Sequence, residues 1–115
     1  MVVADIVMFL YLVSGQGGSL LARRYTRDVE KALAIAERLE SAGLRPNIVK
    51  SSLNYMVYIA TADLLRLAEK DEAVRTAMAL YLAEKVKNGT PRQREIAEKI
   101  LKRIPLFSTN AFLLP

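Results

Sequence analysis

From Ile6 to Val13 the chain is continuously apolar, with β-branched and aromatic members. A glycine-rich stretch, Ser14-Gly15-Gln16-Gly17-Gly18-Ser19, follows, and a second short run covers Leu20 to Tyr25. Bounded runs of this kind read as two strands of a β-hairpin joined by a turn of about four to six residues. A helix from Asp5 to Leu12 is the rival, because periodicity alone does not assign a short apolar run, and the Val, Ile, Phe and Tyr content favours the strand. Beyond Tyr25 the period changes. Val29, Ala32, Leu33, Ala36 and Leu39 fall on one stripe at helical spacing, with Thr26 placed to cap the helix and Asp28 and Glu30 in its first turn, where the helix dipole favours negative charge. Gly43 followed by Leu44 is a left-handed helix stop, and Pro46 prevents continuation.

The same order then recurs. Asn47 to Lys50 and Tyr55 to Ala60 are β-type runs joined through Ser51-Ser52-Leu53-Asn54, with Tyr55, Val57 and Ile59 on one side and Met56 and Tyr58 on the other. Thr61 is placed to cap a helix carrying Leu64, Leu65, Leu67 and Ala68. Lys70-Asp71-Glu72 interrupts that stripe before it resumes at Val74, Ala77, Met78, Tyr81, Leu82 and Val86, which predicts either one bent helix or two meeting near Asp71. Asn88-Gly89 ends it. Thr90-Pro91-Arg92-Gln93 is a capping box with proline at the first helical position, opening a last helix whose face is Ile96, Ala97, Ile100, Leu101 and Ile104. The pattern predicts an α+β domain over residues 1–104, a four-stranded antiparallel sheet with helices on one face in the order ββαββαα. Residues 105–115 form an apolar tail without charge from Leu106 onward, expected to pack on the domain or on a partner.

Composition narrows the chemistry. The chain of 115 residues has no Cys and no His. That removes thiolate nucleophiles, imidazole bases, zinc and iron–sulfur sites and disulfides together. The reading is therefore a non-enzyme with no cofactor and no metal. The apolar stretch from Val2 to Val13 includes Asp5 and falls short of the roughly twenty residues a membrane span needs. It also lacks a basic leader and a cleavage site, so the expectation is a cytoplasmic protein with no membrane association. Two Gln and four Asn beside abundant charged helix formers lean toward a heat-adapted source.

The net charge of +5 is unevenly spread. Residues 28–43 are net −2 and 61–88 net zero, so the excess falls on the strands and the last helix. A sheet face carrying some of Arg23, Arg24, Arg45 and Lys50, with Tyr55 or Tyr58 between them, suits phosphate contacts and base stacking. The competing reading of the same cations is a solvated sheet edge protected from aggregation. Arg92 and Arg94, at the start of the last helix, are a second candidate phosphate surface. Gly15-Gln16-Gly17-Gly18 reads as a hairpin turn, since no Lys-Ser/Thr follows and the next element is a strand. The adjacent acids Asp71 and Glu72 diverge around a helix and cannot share a metal.

In three of these segments the chain resembles the LAGLIDADG homing-endonuclease domain. Asp28-Val29-Glu30-Lys31-Ala32-Leu33 running to Gly43 is similar to that family's first connecting helix. Asn54-Tyr55-Met56-Val57-Tyr58-Ile59 with Leu64-Leu65-Arg66-Leu67 is similar to its fourth strand and the next helix, and Lys87 to Glu95 with Ile96 to Leu101 to its terminal turn and short helix. The resemblance implies the family's sheet-and-helix fold and pairing of two such domains. The motif helix that ends in the family's metal-binding carboxylate does not precede the first strand, and alignment over Leu12 to Gly17 puts Ser14 and Gln16 at the acidic positions. The resemblance thus implies a degenerate, non-cleaving domain of the kind found in archaeal repeat-family proteins.

Two functions follow as expectations: weak, non-specific binding of DNA or RNA through a basic sheet face, or a structural module forming a homodimer through the tail or sheet edge. An open face that is apolar rather than basic shifts the balance to the second. Whether Arg23 or Arg24 points outward depends on strand register, which the sequence leaves open.

Overall fold

The computed structural model describes residues 1–105; Leu106 to Pro115, and with them the expectation for the tail, lie outside the described residues. The fold is α+β. Strands β1 (Val2–Val3) and β2 (Ile6–Val7) form a small ribbon, and β3 (Phe9–Val13), β4 (Ser19–Thr26), β5 (Asn47–Ser51) and β6 (Asn54–Ile59) form a four-stranded antiparallel sheet in the order β3-β4-β6-β5. Each hairpin, β3–β4 and β5–β6, is followed by a helix, α1 (Val29–Ser41) and α2 (Thr61–Lys70). The second strands of the two hairpins pair with each other at the centre of the sheet. Two further helices, α3 (Glu72–Asn88) and α4 (Pro91–Leu101), complete the chain.

The apolar run at the start is extended, but it is not one strand. It breaks at Met8, with Ile6 and Val7 in the ribbon and Phe9 onward in the main sheet. Ala4 and Asp5, both at positive φ, make the two-residue ribbon turn. Arg24 and Arg38 fasten the ribbon from either side, donating to the Val7 and Ala4 carbonyls at 3.1 and 3.0 Å.

Register sorts the side chains. Leu10 faces Ala22, Leu12 faces Leu20, Ala22 also pairs Ile59, and Val57 pairs both Arg24 and Ile48. Leu12, Leu20, Ala22, Val57 and Ile59 are buried under the helices with Ala32, Ala36 and Leu39 of α1, Leu64 and Ala68 of α2, Val74, Met78 and Leu82 of α3, and Ile96, Ala97 and Ile100 of α4. The helices thus cover one face of the sheet, as the pattern predicts. The other face stays open. The edge strand β3 is partly shielded, since the Leu12 N–H donates to the Tyr81 hydroxyl on α3 at 2.9 Å.

The helix ends follow from local chemistry, with two corrections. Asp28, not Thr26, caps α1, accepting the Glu30 N–H at 2.9 Å, while the Thr26 hydroxyl accepts the Asp28 N–H. Thr61 does not cap α2; its hydroxyl bridges to β4, accepting from Leu20 N–H and donating to Leu20 C=O. The long helical pattern resolves into two helices, with Asp71 ending α2 and capping α3 through Val74 N–H. Gly43 at φ 85° closes α1, with Leu44 N–H returning to the Leu39 carbonyl. The Thr90–Gln93 capping box and Pro91 start α4 as the sequence predicts. On the α1 stripe, Val29 and Leu33 are exposed, because the helix packs on the core through Ala32, Ala36 and Leu39, with Ile35 partly buried beside them.

Candidate nucleic-acid interface

The open face of the sheet is built by the alternate residues of its strands. Phe9 pairs Arg23 and Arg23 pairs Tyr58, so one cross-strand row reads Phe9, Arg23, Tyr58, Asn47. Tyr11 lies beside Leu21 in the row before it, and Tyr25, Met56 and Val49 form the row after it. Phe9, Tyr11 and Tyr25 are 62%, 43% and 44% exposed, far more than a ring in a closed core. Arg23 sits among them. Its guanidinium carbon lies 3.7 Å from the Tyr11 ring centroid and 5.4 Å from that of Tyr25.

Charge on the sheet is one-sided. Arg23, Arg24 and Lys50 are the charged residues of β3 to β6, and none of the chain's twelve Asp and Glu lies in these four strands. Among the described residues no carboxylate pairs with Arg23. It is held by aromatic faces alone, which leave the N–H edges of the guanidinium free for an anion.

The predicted site residues do not come together. Arg23 and Tyr58 share the open face. Arg24, Lys50 and Tyr55 project to the other side, where Arg24 binds the ribbon, Tyr55 packs against the core and the Lys50 ammonium lies 5.9 Å from the Tyr55 ring. Arg45 stands just before β5 and is engaged by Asp63, the buried carboxylate of α2, which accepts the Arg45 backbone N–H at 2.7 Å and also pairs with Arg66. Arg92 is tied to Glu95 and, at 3.4 Å, to the Ser14 carbonyl, while Arg94 donates to the Gly89 carbonyl. The face is therefore aromatic with a single cation, and the expected basic face does not form. Alternation turns only one of the neighbours Arg23 and Arg24 outward, the pairing of Lys50 with Tyr55 sets it on the opposite side, and Arg45 precedes the strand.

Phe9, Tyr11 and Tyr25 escaped the sequence reading. Tyr25 was legible in principle from its spacing of two residues from Arg23. Phe9 and Tyr11 were not, because the residues between them, Leu10 and Leu12, are equally apolar. Elsewhere, the hollow at the α2–α3 junction beside Asp71, Ala73, Ala77 and Leu80 is open to solvent. Among the described residues no three acidic side chains gather as a metal site, and no helix is long and apolar enough to cross a membrane. Comparison with known protein families, curated proteins and solved structures finds no match to this chain.

Proposed function

We propose that this chain is a non-catalytic nucleic-acid-binding domain, working in the cytoplasm, that presents the open face of its sheet to DNA or RNA. The observation that carries this reading is Arg23, without a carboxylate partner among the described residues and surrounded by Phe9, Tyr11, Tyr25 and Tyr58 on a sheet without acidic residues. Phosphate supplies the missing anion and bases supply faces for the rings. With one half-buried cation on that face, and strands rather than a helix presented there, binding is weak and tolerant of sequence. The two hairpin-then-helix units that meet through β4 and β6 also support kinship with a LAGLIDADG-like domain that has lost its catalytic acid.

A second reading has its own observation. Val13, Leu21, Met56 and Val49 fill the face between the rings, and an apolar face is what favours an interaction module forming a homodimer. Charge weighs against a second copy seated face to face, because it brings two Arg23 side chains together with no carboxylate on either sheet. Fluorescence anisotropy with labelled single-stranded and duplex oligonucleotides at low salt tests the first reading. Saturable binding supports it; no binding at tens of micromolar protein overturns it. Sedimentation showing a concentration-dependent dimer in the same range then favours the second.

A further inference from the structure

The arrangement of the rings says which form of nucleic acid fits. Phe9 and Tyr58 flank Arg23 on the two neighbouring strands, one strand spacing to each side, so these rings are based about 10 Å apart. Tyr25 is two residues along β4 from Arg23, about 7 Å away. Bases stacked in a duplex repeat at about 3.4 Å along each strand, and their faces are already covered by one another. Rings spaced at two to three times that repeat match bases that have been splayed apart, which only an unpaired strand offers at low cost. A duplex meets this surface with its sugar-phosphate backbone, and the face has one cation to receive it.

Resting on the nucleic-acid reading above, we propose that the ligand is an unpaired strand of DNA or RNA. Its bases stack on Phe9, Tyr25 and Tyr58, and the phosphate between them meets Arg23. Tyr11 has a different part. The Arg23 guanidinium lies against its ring at 3.7 Å, so that ring holds the cation over the β3 side of the face and is a positioning residue. Tyr55, on the helix-covered side, takes no part.

The chain has no Trp and five Tyr, so its intrinsic emission is that of tyrosine, and Tyr11, Tyr25 and Tyr58 all sit on the proposed surface. The unaltered protein is titrated at low salt with a twelve-nucleotide pyrimidine strand, the same strand carrying abasic sites, and a duplex of equal length. The expected result is that the intact strand binds and quenches tyrosine emission, while the abasic strand and the duplex bind at least about tenfold more weakly. Phe9→Leu, Tyr25→Leu and Tyr58→Leu each weaken the intact strand by roughly five- to a hundredfold. Lys50→Gln, on the far side of the sheet, leaves it unchanged. Equal binding of duplex or abasic strand, or binding without quenching, overturns the unpaired-base proposal and leaves nucleic-acid binding standing. Failure of all three probes to bind overturns both.

Discussion

Arg23 and Tyr11 are diagonal neighbours across the β3–β4 pair, and the guanidinium lies against the ring at 3.7 Å, with Tyr11 exposed and Arg23 half-buried. At an exposed site such a contact stabilises by about 0.5–1 kcal/mol. Arg23→Gln and Tyr11→Leu are therefore each expected to lower unfolding free energy by about 1 kcal/mol or less. In a double-mutant cycle followed by urea denaturation, the coupling is about 0.5–1 kcal/mol. A coupling of zero means that the contact does not hold Arg23 in place.

Gly17 and Gly18 share positive φ, 86° and 84°, in the β3–β4 turn, but only Gly18 is pressed against another element. A Cβ there collides with the Ile96 side chain of α4, whereas one on Gly17 meets nothing within 4 Å. Gly17→Ala is expected to cost about 1 kcal/mol, the strain of a left-handed residue alone. Gly18→Ala adds overpacking of about 1–3 kcal/mol. Pairing it with Ile96→Ala relieves the collision and leaves a cavity. Thermal melts of the two single variants separate the terms, and equal losses contradict the close approach of α4.

What could be read from the sequence was whatever is decided within a few residues. Gly43 with Leu44, and Thr90 with Gln93, mark helix ends through their own backbone chemistry. The paired alternation of Val57 and Ile59 against Met56 and Tyr58 also assigns the faces of β6 correctly. The open face itself was hidden, because Met8 to Val13 is apolar at every position and carries no period to say that Phe9 and Tyr11 look outward. The roles of Thr61 and Asp63 are hidden for a related reason: their partners, Leu20 and Arg45, come from distant segments of the chain.

Asp63 is the test of that last point. It is 4% exposed and accepts the Arg45 backbone N–H, while the Arg45 and Arg66 side chains around it are more than half exposed. Asp63→Ala frees both arginines into water at little cost but strands the part-buried N–H, so the expected loss is about 1–3 kcal/mol. Asp63→Asn keeps an acceptor and loses less. Arg66→Ala is expected to cost under about 1 kcal/mol, as for other exposed ion pairs. If Arg66→Ala matches Asp63→Ala in chemical denaturation, the stabilisation comes from the ion pair and not from the backbone anchor.

Nuclease activity is not expected. Ser14 and Gln16, which the proposed LAGLIDADG kinship sets against that motif's acidic residues, lie in the β3–β4 turn, and the sheet carries no carboxylate to hold Mg²⁺ at a phosphodiester. Plasmid incubated with the protein and Mg²⁺ or Mn²⁺ should remain intact. Cleavage abolished by replacing an Asp or Glu of this chain contradicts this.

Salt dependence distinguishes an aromatic face from a basic one. Each phosphate neutralised on a single strand contributes a slope of about −0.7 to log K against log salt. Arg23 or Arg24 acting together with Arg45 and Lys50 makes the slope about −2, whereas the structure places Arg23 alone on the open face. A shallow slope of about −0.7 is therefore expected for the unaltered protein, falling close to zero in Arg23→Gln and unchanged in Arg24→Gln and Lys50→Gln. Leucine in place of Phe9, Tyr25 or Tyr58 should lower affinity at every salt concentration without altering the slope, since stacking releases no counterions. A slope of about −2 or steeper instead sends the phosphates to cations away from this face. Arg92 and Arg94 at the start of α4 are then the first to substitute, because the helix N-terminus adds its own attraction for anions.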